Sequence, residues 1–206
     1  MSHGQIIILN GAPRSGKTSI AAAIQETFPG VWMNLGVDTW AAATPSRLRP
    51  GIGLRPGGER PDLEAAVQQL FAALYDAIAA ISRAGLNVVT DVGHHDAYSR
   101  PLGILAESAR RLAGLPVLFV GVGAPIETIM QRRATSEPGR EYLTATASDP
   151  IPRPVALWQS AVHGHGFYDV EIDTSKMTPL EAATLIRRTL DEGVHRPTAF
   201  ERLAGG

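Results

Sequence analysis

Five short apolar runs occur along the chain, and helical patterns separate them. The runs are continuous rather than alternating, which indicates strands that are buried on both faces. They cover residues 5–9, 31–35, 86–90, 116–122 and 168–172. The helical patterns cover residues 16–27, 62–84, 100–113, 125–133 and 179–192. This alternation predicts an α/β fold, with a five-stranded, mostly parallel sheet that carries helices on both faces.

Two segments lack a regular pattern and are rich in proline, glycine and arginine. The first covers residues 44–61 and the second covers residues 132–154. Both follow predicted strands, and open α/β sheets bind ligands beyond the carboxyl ends of their strands. Long irregular loops in compact domains are commonly functional. We therefore expect residues 44–61 to form an acceptor-side loop and residues 132–154 to form a lid that carries arginines.

Composition narrows the class of protein. A length of 206 residues predicts one domain that spans residues 1–206. With 19 Lys plus Arg, 20 Asp plus Glu and a net charge of −1, the chain lacks the broad basic face that nucleic-acid binding requires. The absence of cysteine excludes disulfides, a thiolate nucleophile and cysteine-bound zinc. No leader pattern is visible, and the apolar stretch 115–126 is shorter than the roughly 20 residues of a membrane span. We expect a cytoplasmic protein without a membrane partner.

A phosphate-binding loop follows the first predicted strand. Residues 11–18 read Gly-Ala-Pro-Arg-Ser-Gly-Lys-Thr and match G-x-x-x-x-G-K-[ST] in full, between a strand and a helix. In such loops backbone N–H groups surround the phosphates, the lysine reaches the β- and γ-phosphates, and the hydroxyl binds Mg²⁺. The residues expected to contact ATP are Gly11, Ala12, Pro13, Arg14, Ser15, Gly16, Lys17, Thr18 and Ser19.

Two aspartates stand at the ends of predicted strands. Asp91 follows the third strand, where an acidic residue together with Thr18 can hold Mg²⁺. Asp38 follows the second strand, where a carboxylate could accept the proton of a substrate hydroxyl that attacks the γ-phosphate. These positions predict a metal ligand at residue 91 and a general base at residue 38.

The later arginines and the histidines are further candidates. Arg132 and Arg133 are adjacent on a helix, so only one of them can face the phosphates. The residues that could line an acceptor pocket, besides Asp38, are Trp40, His94, His95 and Tyr98. The pair formed by His163 and His165 has no third ligand at a convincing spacing, so we do not expect a metal there.

The chain resembles the chloramphenicol phosphotransferase-like family. The segments that carry the resemblance run in order from residue 6 to about residue 190. They are the phosphate loop, Gly-Val-Asp-Thr at 36–39, the strand that ends at Asp91, Val-Gly-Val at 120–122 leading to Arg132, and Tyr-Asp-Val-Glu-Ile-Asp-Thr at 168–174.

The resemblance implies a P-loop kinase that transfers the γ-phosphate of ATP to a hydroxyl of chloramphenicol and thereby inactivates the antibiotic. It implies that Asp38 is the general base, that Lys17 and Thr18 bind phosphate and magnesium, and that Arg132 and Arg140 neutralise the transferred phosphoryl group. The sequence departs from the family at Pro13 and Arg14, in the arginine-rich loop 47–60 and in an insertion at 142–153. These departures concern substrate recognition.

Three functions remain open at this level. The first is a small-molecule O-phosphotransferase that depends on ATP and Mg²⁺. The second is a metabolic kinase of an anionic or nucleotide-like molecule, because arginines bind carboxylates and phosphates well. The third is a regulatory module that hydrolyses ATP slowly. The acceptor, the choice between ATP and GTP, and assembly into a homo-oligomer are left open by the sequence.

Overall fold

The computed structural model describes residues 2–135 and 143–205. The strands within these ranges are β1 (Ile6–Asn10), β2 (Trp32–Asn34), β3 (Asn87–Val92), β4 (Val117–Gly123) and β5 (Val170–Asp173). The helices are α1 (Lys17–Thr27), α2 (Val37–Ala43), α3 (Pro61–Arg83), α4 (Ile104–Arg111), α5 (Ile126–Ala134), α6 (Arg153–Ala161), α7 (Pro179–Glu192) and α8 (Ala199–Gly205). Two 3₁₀ turns, Ser46–Leu48 and Gly51–Gly53, lie between α2 and α3.

The five strands form one sheet in the order β2-β3-β1-β4-β5. All four pairings between them are parallel, whereas the sequence predicted a mostly parallel sheet. The central strand β1 pairs with β3 on one side and β4 on the other, with Leu9 opposite both Asp91 and Val120. Since parallel strands end at the same edge, the loops after β1, β2 and β3 meet there.

Helices cover both faces of the sheet, as predicted. Alternate residues of β1 point in opposite directions, so Ile6 and Ile8 join a core with α3, α4 and α8. Ile7 and Leu9 join the other core, with α1 and α7. Every β1 side chain is buried, which explains why this strand reads as a continuous apolar run.

Helix α3 is the long apolar helix of the fold. By length and composition it could cross a membrane. However, its apolar stripe, which includes Leu63, Val67, Leu74 and Ile78, packs in the core formed with β1 and β3. The apolar stretch 115–126 contains β4. The apolarity of α3 is thus explained by burial in the domain.

Three short helices were not predicted, and one predicted helix is shorter than expected. Helix α6 begins at the last two residues of the segment expected to be irregular and continues to Ala161. Pro154 stands in its first turn, where proline is compatible with a helix. Helix α8 begins where the Asp169 carboxylate accepts a hydrogen bond from Ala199 N at 2.7 Å. Helix α2 contains Asp38.

Helix α4 begins at Ile104 rather than residue 100, because Asp96 binds the N–H groups of residues 102 and 103.

Candidate active site

The phosphate loop lies at the middle of the sheet edge, between β1 and α1. Gly16 has φ +100°, a backbone conformation that glycine adopts without strain, and it is the N-cap of α1. Lys17 begins the helix, and its Nζ donates hydrogen bonds to the carbonyls of Gly11 (2.8 Å) and Ala12 (2.9 Å). Burial lowers the pKa of Lys17 to about 8, although Asp91 and Asp38 nearby act in the opposite direction.

Thr18 and Asp91 converge beside this lysine. The Thr18 hydroxyl donates to Asp91 Oδ2 at 2.8 Å. Gly36 makes room for this carboxylate, because a Cβ at residue 36 would lie 1.6 Å from Asp91 Oδ1. One hydroxyl and one carboxylate fit Mg²⁺, which keeps several waters and binds through few protein ligands plus phosphates. Within residues 2–135 and 143–205 there is no group of three or more acidic, histidine or cysteine side chains that could form an all-protein metal site.

Asp38 lies in the first turn of α2 and is exposed. It lines one cleft together with Lys17, Thr18 and Asp91. The volume of this cleft is about 760 Å³, which is in the range of small-molecule binding sites. The structure therefore brings together the predicted base, the predicted phosphate lysine and the predicted metal ligands in one place.

The remaining walls of this cleft are mostly apolar. They consist of Val37, Pro50, Ile52, Gly53, Val92, Gly93, Ile129, Leu143, Pro154, Val155 and Trp158. Of the arginines in the predicted acceptor-side loop, Arg55 lines the cleft, whereas Arg47, Arg49 and Arg60 are not among the residues of its wall. The side chain of Arg60 instead binds Asp62 at the start of α3. The loop 44–61 thus contributes one cation and an apolar surface.

Four predicted pocket residues do not line the cleft. His94 is buried in the core, where its Nε2 forms a 2.7 Å hydrogen bond with the Tyr75 hydroxyl and its ring stacks on Phe71. Burial lowers the pKa of His94 to about 3, so it is neutral. Its assignment to the acceptor pocket is therefore corrected.

His95, Tyr98 and Trp40 do not line the cleft either, so their assignment to the acceptor pocket is also corrected. His95 is buried, its Nε2 lies 2.9 Å from the carbonyl oxygen of Leu54, and its ring packs on Tyr98. Its ring centroid also lies 6.2 Å from that of Trp158, so it supports a residue of the wall. Trp40 and Tyr98 pack against the core that contains α3. Of the three, His95 therefore supports the site through Trp158, and the other two belong to the surroundings of the core.

The two adjacent arginines of α5 point in different directions. Arg133 lines the cleft with Lys17 and Asp38. Arg132 instead donates to the carbonyl oxygen of Arg14 in the phosphate loop (3.2 Å). It also donates to Oγ1 (2.9 Å) and O (2.8 Å) of Thr174, the residue that follows β5. Arg132 thus does not line this cleft but lines a second one with Lys17 and Thr18, and its predicted role at the phosphates stays a prediction. Arg140 falls within residues 136–142, outside the described residues, as does the middle of the predicted lid.

The predicted nucleotide residues divide between two clefts. Gly11, Ala12 and Pro13 line the first cleft, and Arg14, Lys17 and Thr18 line both. Gly16 and Ser19 line the second cleft only. Ser15 is buried and lines neither cleft.

The second cleft lies on the other side of the phosphate loop and has a volume of about 440 Å³. Its outer wall is formed by Arg132, Thr174, Met177 and Pro179. Sequence reasoning missed the last three residues, although Thr174 ends the distinctive 168–174 segment. Two connected clefts with shared phosphate-binding residues can hold a nucleotide on one side and a second substrate on the other.

Comparison with known proteins agrees with this geometry. The model of the "Chloramphenicol phosphotransferase-like protein" family matches residues 4–191. A protein of Mycobacterium tuberculosis (strain H37Rv) named "Putative O-phosphotransferase Rv2636" is 28% identical over 227 residues, covering 98% of this chain and 89% of that protein.

Solved structures of P-loop kinases share the fold. A sugar kinase from Janibacter sp. HTCC2649 superposes with a TM-score of 0.63 at 16% identity, covering 91% of this chain and 95% of that chain. The Mycobacterium tuberculosis APS kinase CysC, solved with AMPPNP and APS, gives 0.59 at 16% identity, covering 93% of this chain and 99% of that chain. This chain is a phosphotransferase, and it belongs to the chloramphenicol phosphotransferase-like family.

Proposed function

We propose that this enzyme transfers the γ-phosphate of ATP to a hydroxyl group of a small molecule that has an apolar body. The observation that carries the proposal is the position of Asp38 in one cleft with Lys17 and Asp91, opposite a largely apolar wall. The nucleotide base would occupy the second cleft, and the acceptor would occupy the first. We place the reaction in the cytoplasm, without nucleic acid or membrane.

In the proposed reaction Asp38 accepts the proton of the acceptor hydroxyl. The hydroxyl oxygen forms a bond to the γ-phosphorus while the bond to the β–γ bridging oxygen breaks, and ADP leaves with that electron pair. Lys17 and Arg133 supply positive charge at the edge of the cleft where the phosphoryl group passes. The apolar wall excludes water, which would otherwise compete with the acceptor.

The residues that would hold Mg²⁺ are Thr18 and Asp91, whose oxygens already lie within hydrogen-bonding distance of each other. When bound, the ion neutralises charge on the phosphates. Lys17 has a complementary role. It now binds two carbonyls of its own loop, and phosphate oxygens would replace them as partners.

The acceptor that fits this wall best is neutral over most of its surface, as chloramphenicol is. Ile52, Val155 and Trp158 would contact the apolar part. Arg55 favours a second candidate, an acceptor that also carries one carboxylate or phosphate. A polyanionic metabolite is disfavoured, since the other arginines of the 44–61 loop do not line the cleft.

The proposal can be tested by following ADP release with ATP and Mg²⁺, alone and with a panel of hydroxylated acceptors. The panel contains chloramphenicol, neutral aromatic alcohols and anionic hydroxy acids. We expect ADP release that depends on a neutral acceptor, and a product heavier by one phosphate. Turnover with anionic acceptors alone would favour the metabolic kinase. Tight nucleotide binding with slow hydrolysis and no acceptor dependence would favour the regulatory ATPase module.

A further inference from the structure

Arg14 stands in the middle of the phosphate loop with φ +71°, and it is the non-glycine residue with positive φ in the part of the chain described. This conformation is unfavourable for a residue that carries a Cβ. Such a conformation persists where the surrounding structure holds it in place. The contacts of the Arg14 side chain show what holds it.

Arg14 and Arg132 bind each other's backbone. The Arg14 Nε donates to the carbonyl oxygen of Arg132 at 3.0 Å, and the Arg132 Nη1 donates to the carbonyl oxygen of Arg14 at 3.2 Å. The Arg132 carbonyl belongs to the last turn of α5, where carbonyls lack helical partners and a cation is favourable. The Arg132 guanidinium also donates to Thr174, whose hydroxyl donates to Ser15 O at 2.8 Å. These contacts close a ring that joins the phosphate loop, α5 and the end of β5.

The ring, together with the burial of Ile129 and Met130, fixes the rotation of α5 about its own axis. Ile129 and Arg133 are four residues apart, share a face of α5 and both line the first cleft. Arg132 lies about 100° away around the helix, on the side of the phosphate loop. With Arg132 held on that side, Arg133 faces the cleft, where its Nε donates a hydrogen bond to the carbonyl oxygen of Leu143 at 2.9 Å.

We propose that Arg14 is a positioning residue: by binding the end of α5, it directs the Arg133 guanidinium toward the transferring phosphoryl group. The proposal rests on the proposed function, because it gives Arg133 a role in phosphoryl transfer. It assigns to Arg14 no direct contact with the phosphates. The proposal thereby gives a function to Arg14, one of the two residues at which this loop departs from the family.

The test compares binding of Mg²⁺·ADP with binding of Mg²⁺·ADP·aluminium fluoride, a mimic of the transferring phosphoryl group, by calorimetry. Arg14→Gly keeps the loop conformation accessible and removes the side chain. Arg14→Asn also tolerates positive φ and controls for the extra backbone freedom of glycine. We expect both variants to bind ADP as the wild type does. Both should bind the aluminium fluoride complex about 10- to 100-fold more weakly, as for a catalytic group displaced by about 1 Å. Arg188→Ala, on the exposed face of α7, should change neither affinity.

A double-variant comparison separates positioning from direct contact. If Arg14 acts through Arg133, the double variant Arg14→Gly/Arg133→Met should bind the aluminium fluoride complex as tightly as Arg133→Met alone does. The proposal would be overturned if the losses of affinity in the two single variants multiplied in the double variant. It would also be overturned if Arg14→Gly lost as much affinity for ADP as for the aluminium fluoride complex. Either result would make Arg14 a phosphate ligand. The proposal would also be overturned if Arg14→Gly bound ADP and the aluminium fluoride complex each with the affinity of the wild type.

These binding measurements need no acceptor, so they are separate from the test of the proposed function. If the wild type binds the aluminium fluoride complex more tightly than ADP but phosphorylates no acceptor, the proposed function fails and the Arg14 comparison still stands. If the wild type phosphorylates an acceptor and the two Arg14 variants do so at the wild-type kcat, the proposed function stands and the role of Arg14 fails.

Discussion

The Thr18 hydroxyl donates a hydrogen bond to Asp91 Oδ2 at 2.8 Å across 73 residues of sequence. This contact joins the helix after the phosphate loop to the acidic end of β3. It is possible because Leu9, at the end of β1, lies in register with Asp91 on the neighbouring parallel strand. The register of β1 and β3, together with the turn from β1 into α1, thus brings together two oxygen atoms of a kind that Mg²⁺ binds.

Thr18→Val removes the hydroxyl and keeps the shape of the side chain. We expect the Mg²⁺ concentration for half-maximal activity to rise about 10- to 100-fold, as is typical when support for a metal site is lost. A magnesium titration of the rate of ADP release measures this. Thr184→Val, on α7, removes an exposed hydroxyl that binds a helix carbonyl and should leave the titration unchanged. An unaltered magnesium requirement in Thr18→Val would remove Thr18 from the metal site.

Asp38→Asn removes the proposed base with little change in volume. We expect kcat to fall about 10²- to 10⁴-fold, the usual contribution of general-base catalysis. Affinity for Mg²⁺·ADP should stay within about twofold, since in the proposed reaction Asp38 acts on the acceptor hydroxyl and not on ADP. Asp191→Asn, on α7, is the matched control because its carboxylate is exposed and pairs with Arg187. Wild-type turnover by Asp38→Asn would show that another group takes the proton.

Trp158→Ala should weaken acceptor binding selectively. The indole forms part of the apolar wall, so we expect the KM of a neutral acceptor to rise about tenfold or more while the KM of ATP is unchanged. Arg55→Ala is the comparison variant, which should raise the KM of anionic acceptors only. Steady-state kinetics with both acceptor classes reads out the difference. An equal effect of Trp158→Ala on ATP and acceptor would place Trp158 outside the acceptor site.

His94 should make the stability of the domain sensitive to acid. An unfolded histidine has a pKa near 6.5, whereas burial lowers the pKa of His94 to about 3 in the folded protein. Between these values the unfolded chain binds more protons, so the free energy of unfolding falls as the pH falls below about 6.5.

His94→Gln cannot titrate. Between pH 7 and pH 5 the wild type should therefore lose about 2 kcal/mol more stability than this variant. Urea unfolding at both pH values measures the difference. Equal losses in the two proteins would show that His94 titrates normally when folded.

The fold and the phosphate-binding half of the site could be predicted from the sequence. Strands buried on both faces leave unbroken apolar runs, and the loop between β1 and α1 is a contiguous motif. Asp91 and Asp38 were predicted because each follows a strand, and parallel strands end at one edge. The helix 37–43 that carries Asp38 was too short to give a periodic pattern.

The apolar wall of the first cleft could not be predicted, because it depends on packing between distant segments. Val155 and Trp158 reach the cleft through the packing of α6, more than 60 residues beyond β3. The error at His94 has a local cause. His94 N is bound by Asn10 Oδ1, and this contact directs the residue inward at the end of β3. For Arg132 and Arg133, adjacency on a helix showed that they differ in direction but not which of the two clefts each one lines.

The close approach of Gly36 to Asp91 constrains how this family can vary. A side chain at residue 36 would occupy the space of the Asp91 carboxylate. Relatives that keep the acidic residue should therefore keep glycine at this position, and a larger residue should appear only where the acid is shortened or lost. Because Val37 and Asp38 follow directly, a substitution at residue 36 would also displace the start of α2. The Gly-Val-Asp segment should therefore be inherited as a unit with Asp91, independently of the acceptor that each relative uses.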